Sequence, residues 1–113
     1  MDVNFKSKKL KKVCESMKEL QKNFGRQCAR KIARRLEVLV SADNLEHVPH
    51  TPPERCHQLT QDKDELFAVD VEKQWRIIFI PDHNPIPRKK DGGIDKEKIT
   101  SIVITDICED YHR

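Results

Sequence analysis

Apolar residues in the first third of the chain recur at intervals of three and four, the spacing of one helix face. The pattern covers residues 7–22, with lysines between the apolar positions, and is interrupted at Gly25. A glycine there is a common end of a helix, because it adopts positive φ without strain. The same spacing returns over residues 26–41, where the apolar stripe contains Cys28, Ile32, Leu36 and Val40. We therefore predict an αα-hairpin whose basic residues face outward, among them Arg30, Lys31, Arg34 and Arg35.

After residue 54 the apolar residues alternate with polar ones, which is the period of a strand. The preceding connector, residues 42–54, contains three prolines that exclude a helix. Strands are predicted at residues 55–59, 66–72, 75–80 and 99–110, with residues 102–104 buried on both faces. Segment 81–98 is rich in proline and charge and is predicted to be a long exposed hairpin loop. The predicted fold class is α+β, one domain over 1–113, with the αα-hairpin packed on a roughly four-stranded antiparallel sheet.

Charge is distributed unevenly along the chain. The net charge is +3, but residues 1–40 carry 12 Lys and Arg against 4 Asp and Glu, and the rest of the chain is net acidic. Such a basic region favours an acidic partner, either nucleic acid or a negatively charged protein, although a solvated helix face has the same composition. There is no apolar run long enough to span a membrane and no secretory signal, so we expect a cytoplasmic protein with no membrane partner.

The sequence offers no motif for a metal or a cofactor. Cys14, Cys28, Cys56 and Cys108 are far apart, with no C-x-x-C pair, so we expect reduced thiols that pack as small apolar groups. Only three glycines are present, and there is neither a phosphate-binding loop nor an H-E-x-x-H motif. We therefore predict that the protein uses no metal and no cofactor.

Several polar residues in the predicted strands are candidates for catalysis or substrate binding. Alternation places Arg55 and His57 on one face of a strand, and histidine is the usual acid–base group near neutral pH. Arg76 is set in an otherwise apolar strand, where an arginine must be paired or must serve a ligand. Asp110 and His112 share a face at the end of the last strand, so the carboxylate could orient the imidazole. Each feature also has a purely structural explanation: a hydrogen-bonded histidine, a paired arginine or a frayed terminus.

Taken in order, the segments 55–59, 67–69, 75–79 and 104–112 resemble the HigB branch of the RelE/ParE toxin superfamily. The most specific part of this resemblance is the Glu-Asp-Tyr-His sequence that follows the Ile/Val-rich strand. The resemblance implies a RelE-like fold and the toxin of a type II toxin–antitoxin system. It also implies a ribosome-dependent endoribonuclease, which cleaves mRNA by attack of the ribose 2′-OH on the adjacent phosphate, without a metal.

The resemblance assigns roles by motif position. His57, Asp110, Tyr111 and His112 match catalytic or mRNA-contacting positions, and Arg76 matches a phosphate-contacting one. Arginine suits that task because its planar fork binds two phosphate oxygens and stays charged.

The chain departs from the family pattern just after the histidine. Many relatives carry a lysine where this sequence has Thr60. Lys63 and Arg55 are the neighbouring cations that can replace it, so we expect both to bind substrate. The implied partners are a cognate antitoxin, the ribosome and mRNA, and a toxin–antitoxin hetero-oligomer on operator DNA is a further arrangement that the family allows.

Two other functions fit the same resemblance. One is a ParE-like protein that poisons DNA gyrase by binding, and the other is a degenerate toxin that acts only as an antitoxin or DNA co-repressor partner. The missing lysine at Thr60 favours the degenerate toxin, whereas a set of acid–base residues favours the nuclease. The basic run 88–90 in the long loop is either a contact to rRNA or an idle charged hairpin.

Overall fold

The computed structural model describes residues 1–59 and 65–109. Within these two ranges, three helices and five strands form an α+β domain. The helices are α1 (Lys8–Cys14), α2 (Met17–Phe24) and α3 (Arg26–Ser41). The strands are β1 (Asp2–Phe5), β2 (His57–Gln58), β3 (Phe67–Glu72), β4 (Trp75–Pro81) and β5 (Ser101–Glu109). Single turns of 3-10 helix lie at Leu45–His47 and Lys96–Lys98.

The strands form one sheet in the order β1-β5-β4-β3-β2. Strands β2 to β5 are antiparallel neighbours in sequence order, as predicted, whereas β1 adds a fifth strand parallel to β5. The sequence did not indicate β1, because four residues next to a lysine-rich run carry little strand signal. The strand is specified by a distant partner, since Asp2 pairs with Ser101.

The predicted helix over residues 7–22 is two short helices. Ser16 separates α1 from α2, and its hydroxyl accepts a hydrogen bond from the backbone N–H of Glu19. Ser7 caps α1 in the same way. A serine side chain satisfies a free backbone donor at a helix start, so Ser16 begins a new helix where the apolar spacing alone predicts a continuous one.

Helix α3 has the predicted bounds, but its faces differ from the prediction. Cys28 and Ile32 are buried as expected, whereas Val40 is 56% exposed. Arg35, predicted to face outward, is only 7% exposed. Its Nε donates to the carbonyl of Asp70 at 2.7 Å and its Nη2 to that of Val71 at 3.2 Å. The long apolar stem of Arg35 packs inward while its charged head binds carbonyls at the register shift between Asp70 and Glu72 in β3.

The core lies between the helices and one face of the sheet. The rings of Phe67 and Phe79 stack there with centroids 5.8 Å apart. Ile102 and Ile104 are fully buried against the helices, but Val103 between them is only partly buried, so β5 is covered on one face and not on both as predicted. Cys14 and Cys28 are buried within this core, and all four cysteines are unpaired, as predicted.

Two other segments differ from the sequence prediction. The strand predicted over residues 55–59 is reduced to His57–Gln58, because Arg55 adopts a positive φ of 43° that no strand residue has. The segment 81–98 is a hairpin, as predicted, with a bridge between Arg88 and Ile94, but it is not wholly exposed, because Ile94 is buried in the core. Within the described ranges, no helix is both long and apolar enough to cross a membrane.

Candidate functional site

The face of the sheet opposite the helices carries the polar residues of interest. In β3, Phe67 and Val69 point into the core, so Ala68 and Asp70 lie on the other face, here called the open face. The strand register places Ala68 beside His57, and Asp70 beside Arg76. His57 and Arg76 therefore belong to neighbouring rows of the open face, about 7 Å apart along the strands and, with β3 between them, about 10 Å apart across the sheet.

Asp70 binds two arginines at once. Its Oδ2 lies 2.6 Å from Nε of Arg55, and its Oδ1 lies 3.1 Å from Nη2 of Arg55 and 2.9 Å from Nε of Arg76. Hydrogen bonding to Asp70 raises the pKa of Arg55 further, so this guanidinium stays charged. The three residues, which we call the Arg–Asp–Arg cluster, keep a net charge of +1 and a fixed geometry.

Arg76 is held from a second side as well. Its Nη1 donates to the carbonyls of Lys73 at 3.0 Å and Trp75 at 3.1 Å. Its Nη2 donates to none of the described residues, and the side chain is 18% exposed. Among the residues described, the protein thus orients the arginine through two nitrogens and leaves the donors of Nη2 for an anion.

His57 has one ring nitrogen fixed by the backbone. Its Nδ1 lies 2.7 Å from the carbonyl oxygen of Arg55. A carbonyl only accepts, so Nδ1 must carry a proton, and in the neutral ring Nε2 then has the free lone pair. A ring in this tautomer, partly exposed on the open face, can take a proton from a bound hydroxyl through Nε2.

The carbonyl that fixes His57 belongs to a strained residue. Arg55 has a φ of 43°, a conformation that costs a non-glycine residue about 1 kcal/mol or more. It is held there by hydrogen bonds from its own N–H to Thr51 and from the N–H of Cys56 to Pro49, both 2.9 Å long. This backbone conformation lets Arg55 serve the site twice, with its guanidinium on Asp70 and its carbonyl on His57.

A groove runs along the open face beside these residues. Its volume is about 440 Å³, and Lys6, Leu66, Ile78, Ile80, Val103, Thr105 and Asp106 line it. Across the strands from Arg76 lies Cys108. Burial, followed by the charge and a hydrogen bond of Asp106, raises the pKa of Cys108 to about 11. The thiol is therefore neutral near pH 7 and unsuited to act as a nucleophile.

The structure brings together three of the residues predicted from the sequence: Arg55, His57 and Arg76. The other four, Lys63, Asp110, Tyr111 and His112, lie outside the described residues, as does Thr60. Among the described residues, no group of His, Cys, Asp or Glu could hold a metal ion.

Sequence reasoning missed Asp70. A signal for it was present, because an aspartate inside the apolar strand Phe67–Glu72 needs a partner for the same reason as Arg76 does. The alternation of β3 puts Asp70 on the face opposite Phe67, but only the register with β4 shows that it lies beside Arg76.

Comparison with known proteins identifies a toxin family and a similar fold. Residues 3–87, from β1 through β4, match a family model described as the RelE-like toxin of the type II toxin–antitoxin system HigB. No characterised protein matches the sequence significantly. The fold is similar to that of a YoeB/ParE toxin from Agrobacterium tumefaciens, with a TM-score of 0.56, 8% identity, and coverage of 98% of this chain and 100% of the other. At that identity the similarity concerns the fold alone.

Proposed function

Because the chain belongs to the HigB-like family of RelE-like toxins from type II toxin–antitoxin systems, we propose that it is a ribosome-dependent endoribonuclease that cleaves mRNA. Membership of this family implies an antitoxin as partner. The proposal rests above all on the open face, where a histidine of fixed tautomer lies one row from an arginine that has spare donors.

The proposed reaction needs a base, an acid and a cation. The ribose 2′-OH loses its proton and attacks the adjacent phosphorus, the bond to the 5′-oxygen breaks, and that oxygen gains a proton. The products are a 2′,3′-cyclic phosphate and a 5′-hydroxyl. His57 is suited to the first step, because its Nε2 holds the free lone pair when Nδ1 donates to Arg55.

Arg76 is suited to hold the phosphate during this reaction. Negative charge builds up on the phosphoryl oxygens at the pentavalent stage, and a pre-oriented guanidinium stabilises it without reorganisation. Asp70 fixes Nε of Arg76, and the carbonyls of Lys73 and Trp75 fix Nη1. Arg55 shares Asp70 and is exposed, so it can bind a neighbouring phosphate of the substrate.

The remaining assignments stay predictions. We propose that His112 supplies the proton for the leaving oxygen, that Asp110 orients it, that Tyr111 stacks on a base, and that Lys63 binds substrate. We also propose a cytoplasmic site of action, no metal or cofactor requirement, and a hetero-oligomer with antitoxin on operator DNA.

The test is translation in vitro with primer extension on the mRNA. The wild-type protein should produce discrete cleavage sites that depend on ribosomes and persist in purified samples treated with a chelator of transition metals. His57→Gln and Arg76→Ala should each lose about 10²-fold or more in cleavage rate. His47→Gln is the matched control, because the His47 side chain is 58% exposed and its Nδ1 lies 4.0 Å from Asp43, just after α3.

The same preparations distinguish the alternatives. Inhibition of gyrase supercoiling without mRNA cleavage would replace this proposal by the ParE-like function. Antitoxin binding with neither activity would indicate the degenerate toxin. Arg76→Ala should still fold and bind antitoxin, because Asp70 keeps its two contacts with Arg55.

A further inference from the structure

The segment 86–95, here called the basic hairpin, is built more rigidly than its composition suggests. The N–H of Lys89 donates to the carbonyl of Gly93 at 2.7 Å, and that of Gly92 to the carbonyl of Lys89 at 3.0 Å. Gly92 has a φ of 91°, which only glycine adopts without strain. Nη1 of Arg88 also binds the carbonyl of Gly92, at 2.8 Å. The turn therefore holds one defined conformation.

The stem of the basic hairpin is fixed to the domain. Ile94 is 6% exposed and belongs to the core, and Ile86 packs against that core. At the tip, Lys89 and Lys90 are exposed and form an ion pair with no described residue. The nearest carboxylate in sequence, that of Asp91, accepts a hydrogen bond from the N–H of Gly93 at 2.8 Å. Two cations are thus presented on a preorganised support.

The basic hairpin stands at one end of the open face. Nη2 of Arg88 lies 3.6 Å from Oε2 of Glu65, whose neighbour Leu66 lines the groove. Along β4 the open face continues from Ile80 past Ile78 to Arg76, a distance of about 13 Å. The groove therefore lies between the Arg–Asp–Arg cluster at one end and the basic hairpin at the other.

We propose that Lys89 and Lys90 bind RNA phosphates outside the reacting site. This inference rests on the proposed function, because RNA that reaches Arg76 along the groove carries its neighbouring phosphates toward the hairpin. Lysine binds phosphate as a point charge and independently of sequence. Since the turn is already ordered, little conformational entropy is lost on binding.

The magnitude follows from counterion release. On single-stranded nucleic acid, each phosphate contact contributes about 0.7 to the slope of log affinity against log salt concentration. On a duplex the contribution is about 0.9, and we apply this value for duplex DNA to duplex RNA. Two contacts therefore contribute about 1.4–1.8. If the electrostatic contribution is set to zero at 1 M salt, the two contacts raise the affinity for single strands about 25-fold at 0.1 M salt.

The experiment measures ribosome binding by fluorescence anisotropy over a range of salt concentrations. The test variant is Lys89→Gln/Lys90→Gln, which leaves the backbone contacts of the turn intact. The comparator is Lys11→Gln/Lys12→Gln, which removes the same charge from exposed positions on α1. Lys89→Arg/Lys90→Arg should keep wild-type binding, and thermal unfolding of all three should match the wild type.

We expect the test variant to lose about 1.4–1.8 in salt slope and, correspondingly, about 25- to 60-fold in affinity at 0.1 M salt. An equal loss in the comparator, or no loss in the test variant, overturns the proposal. Ribosomes without mRNA and a free single-stranded oligonucleotide are measured in parallel. A loss on empty ribosomes places the phosphates on rRNA, and a loss only with mRNA present places them on the message.

Cleavage is read separately, so that the two proposals can fail separately. If the wild type binds ribosomes but cleaves no mRNA, the proposed nuclease activity is wrong. The binding measurement then still decides the role of the basic hairpin. If the wild type cleaves and the test variant binds normally, the role of the hairpin alone is wrong. If the test variant loses affinity for an acidic antitoxin and not for RNA, the hairpin is a protein contact and the proposal is overturned.

Discussion

Asp70→Asn is the sharpest perturbation of the Arg–Asp–Arg cluster. The substitution keeps the shape of the side chain and leaves the carbonyl of residue 70 free to accept from Arg35. It removes the charge that binds Arg55 and Arg76, and it sets an amide NH₂ against a guanidinium, donor against donor. Arg76 keeps its two contacts to backbone carbonyls, but its Nε loses the acceptor that orients it.

The effect on stability follows from exposure. The side chain of Arg55 is 44% exposed, so its pair with Asp70 is screened and contributes about 0.2–1 kcal/mol. The contact with Arg76 lies between side chains that are 18% and 23% exposed, where a charged hydrogen bond contributes about 1–2 kcal/mol. The free energy of unfolding should therefore fall by about 1–3 kcal/mol, which urea denaturation measures.

The effect on activity should be of a different kind. Removing one negative charge makes the open face more positive, so affinity for RNA should stay equal or rise. The rate at saturating ribosome should fall about 10- to 100-fold, because Arg76 is no longer held where charge develops. Single-turnover cleavage on programmed ribosomes measures both quantities. Asp43→Asn is the matched control, because that side chain is 88% exposed, follows α3 and does not line the groove.

Two results would refute this reasoning. If Asp70→Asn cleaves within twofold of the wild-type rate, Arg76 does not need the orientation that Asp70 gives it. If RNA affinity falls together with the rate, Asp70 contributes to binding, and the separation of orientation from charge is wrong.

Three further predictions concern the fold and the chain end. Arg35→Leu should lower the free energy of unfolding by about 2–4 kcal/mol, because the carbonyls of Asp70 and Val71 lose buried donors. Arg34→Leu, at an exposed position of the same helix, should change it by less than about 0.5 kcal/mol. Urea denaturation of both variants measures the difference. Burial raises the pKa of Cys14, Cys56 and Cys108 from 9.0 to about 11. The neutral thiols should therefore contribute fully to the free energy of unfolding below pH 9, and this contribution should be lost toward pH 11. Urea denaturation at several pH values across that range measures the loss. Deleting residues 111–113 should leave a stable fold and no mRNA cleavage; normal primer-extension products from the truncated protein would contradict the role predicted for Tyr111 and His112.

The sequence predicts those elements whose signal is local. Helix α3 and strands β3, β4 and β5 follow from spacing alone, because each has enough apolar positions to set a period. The break at Ser16 was hidden, since capping competes with a periodicity that continues across it. Strand β1 was hidden for a different reason: the strand with which it pairs, β5, is about a hundred residues away in the chain.

At the site, too, the sequence indicates single residues but not the contacts between distant ones. Arg76 and His57 stand out in the sequence because a charged or titratable group in a strand needs an explanation. What the sequence could not indicate is their common dependence on Arg55, whose guanidinium reaches Asp70 while its carbonyl fixes His57. Both contacts arise from one unusual backbone conformation, which residue type alone does not signal for an arginine.

The pairing of β1 with β5 has a consequence for the order in which the molecule can assemble. Asp2 pairs with Ser101, so this contact closes a loop of about a hundred residues, and contacts of such separation form late and slowly. β5 also supplies Val103, Thr105 and Asp106 to the groove. During synthesis, neither this strand pair nor the groove can exist until residues 101–109 have been made. A nascent chain therefore lacks the surface on which its proposed toxicity depends until β5 has been translated.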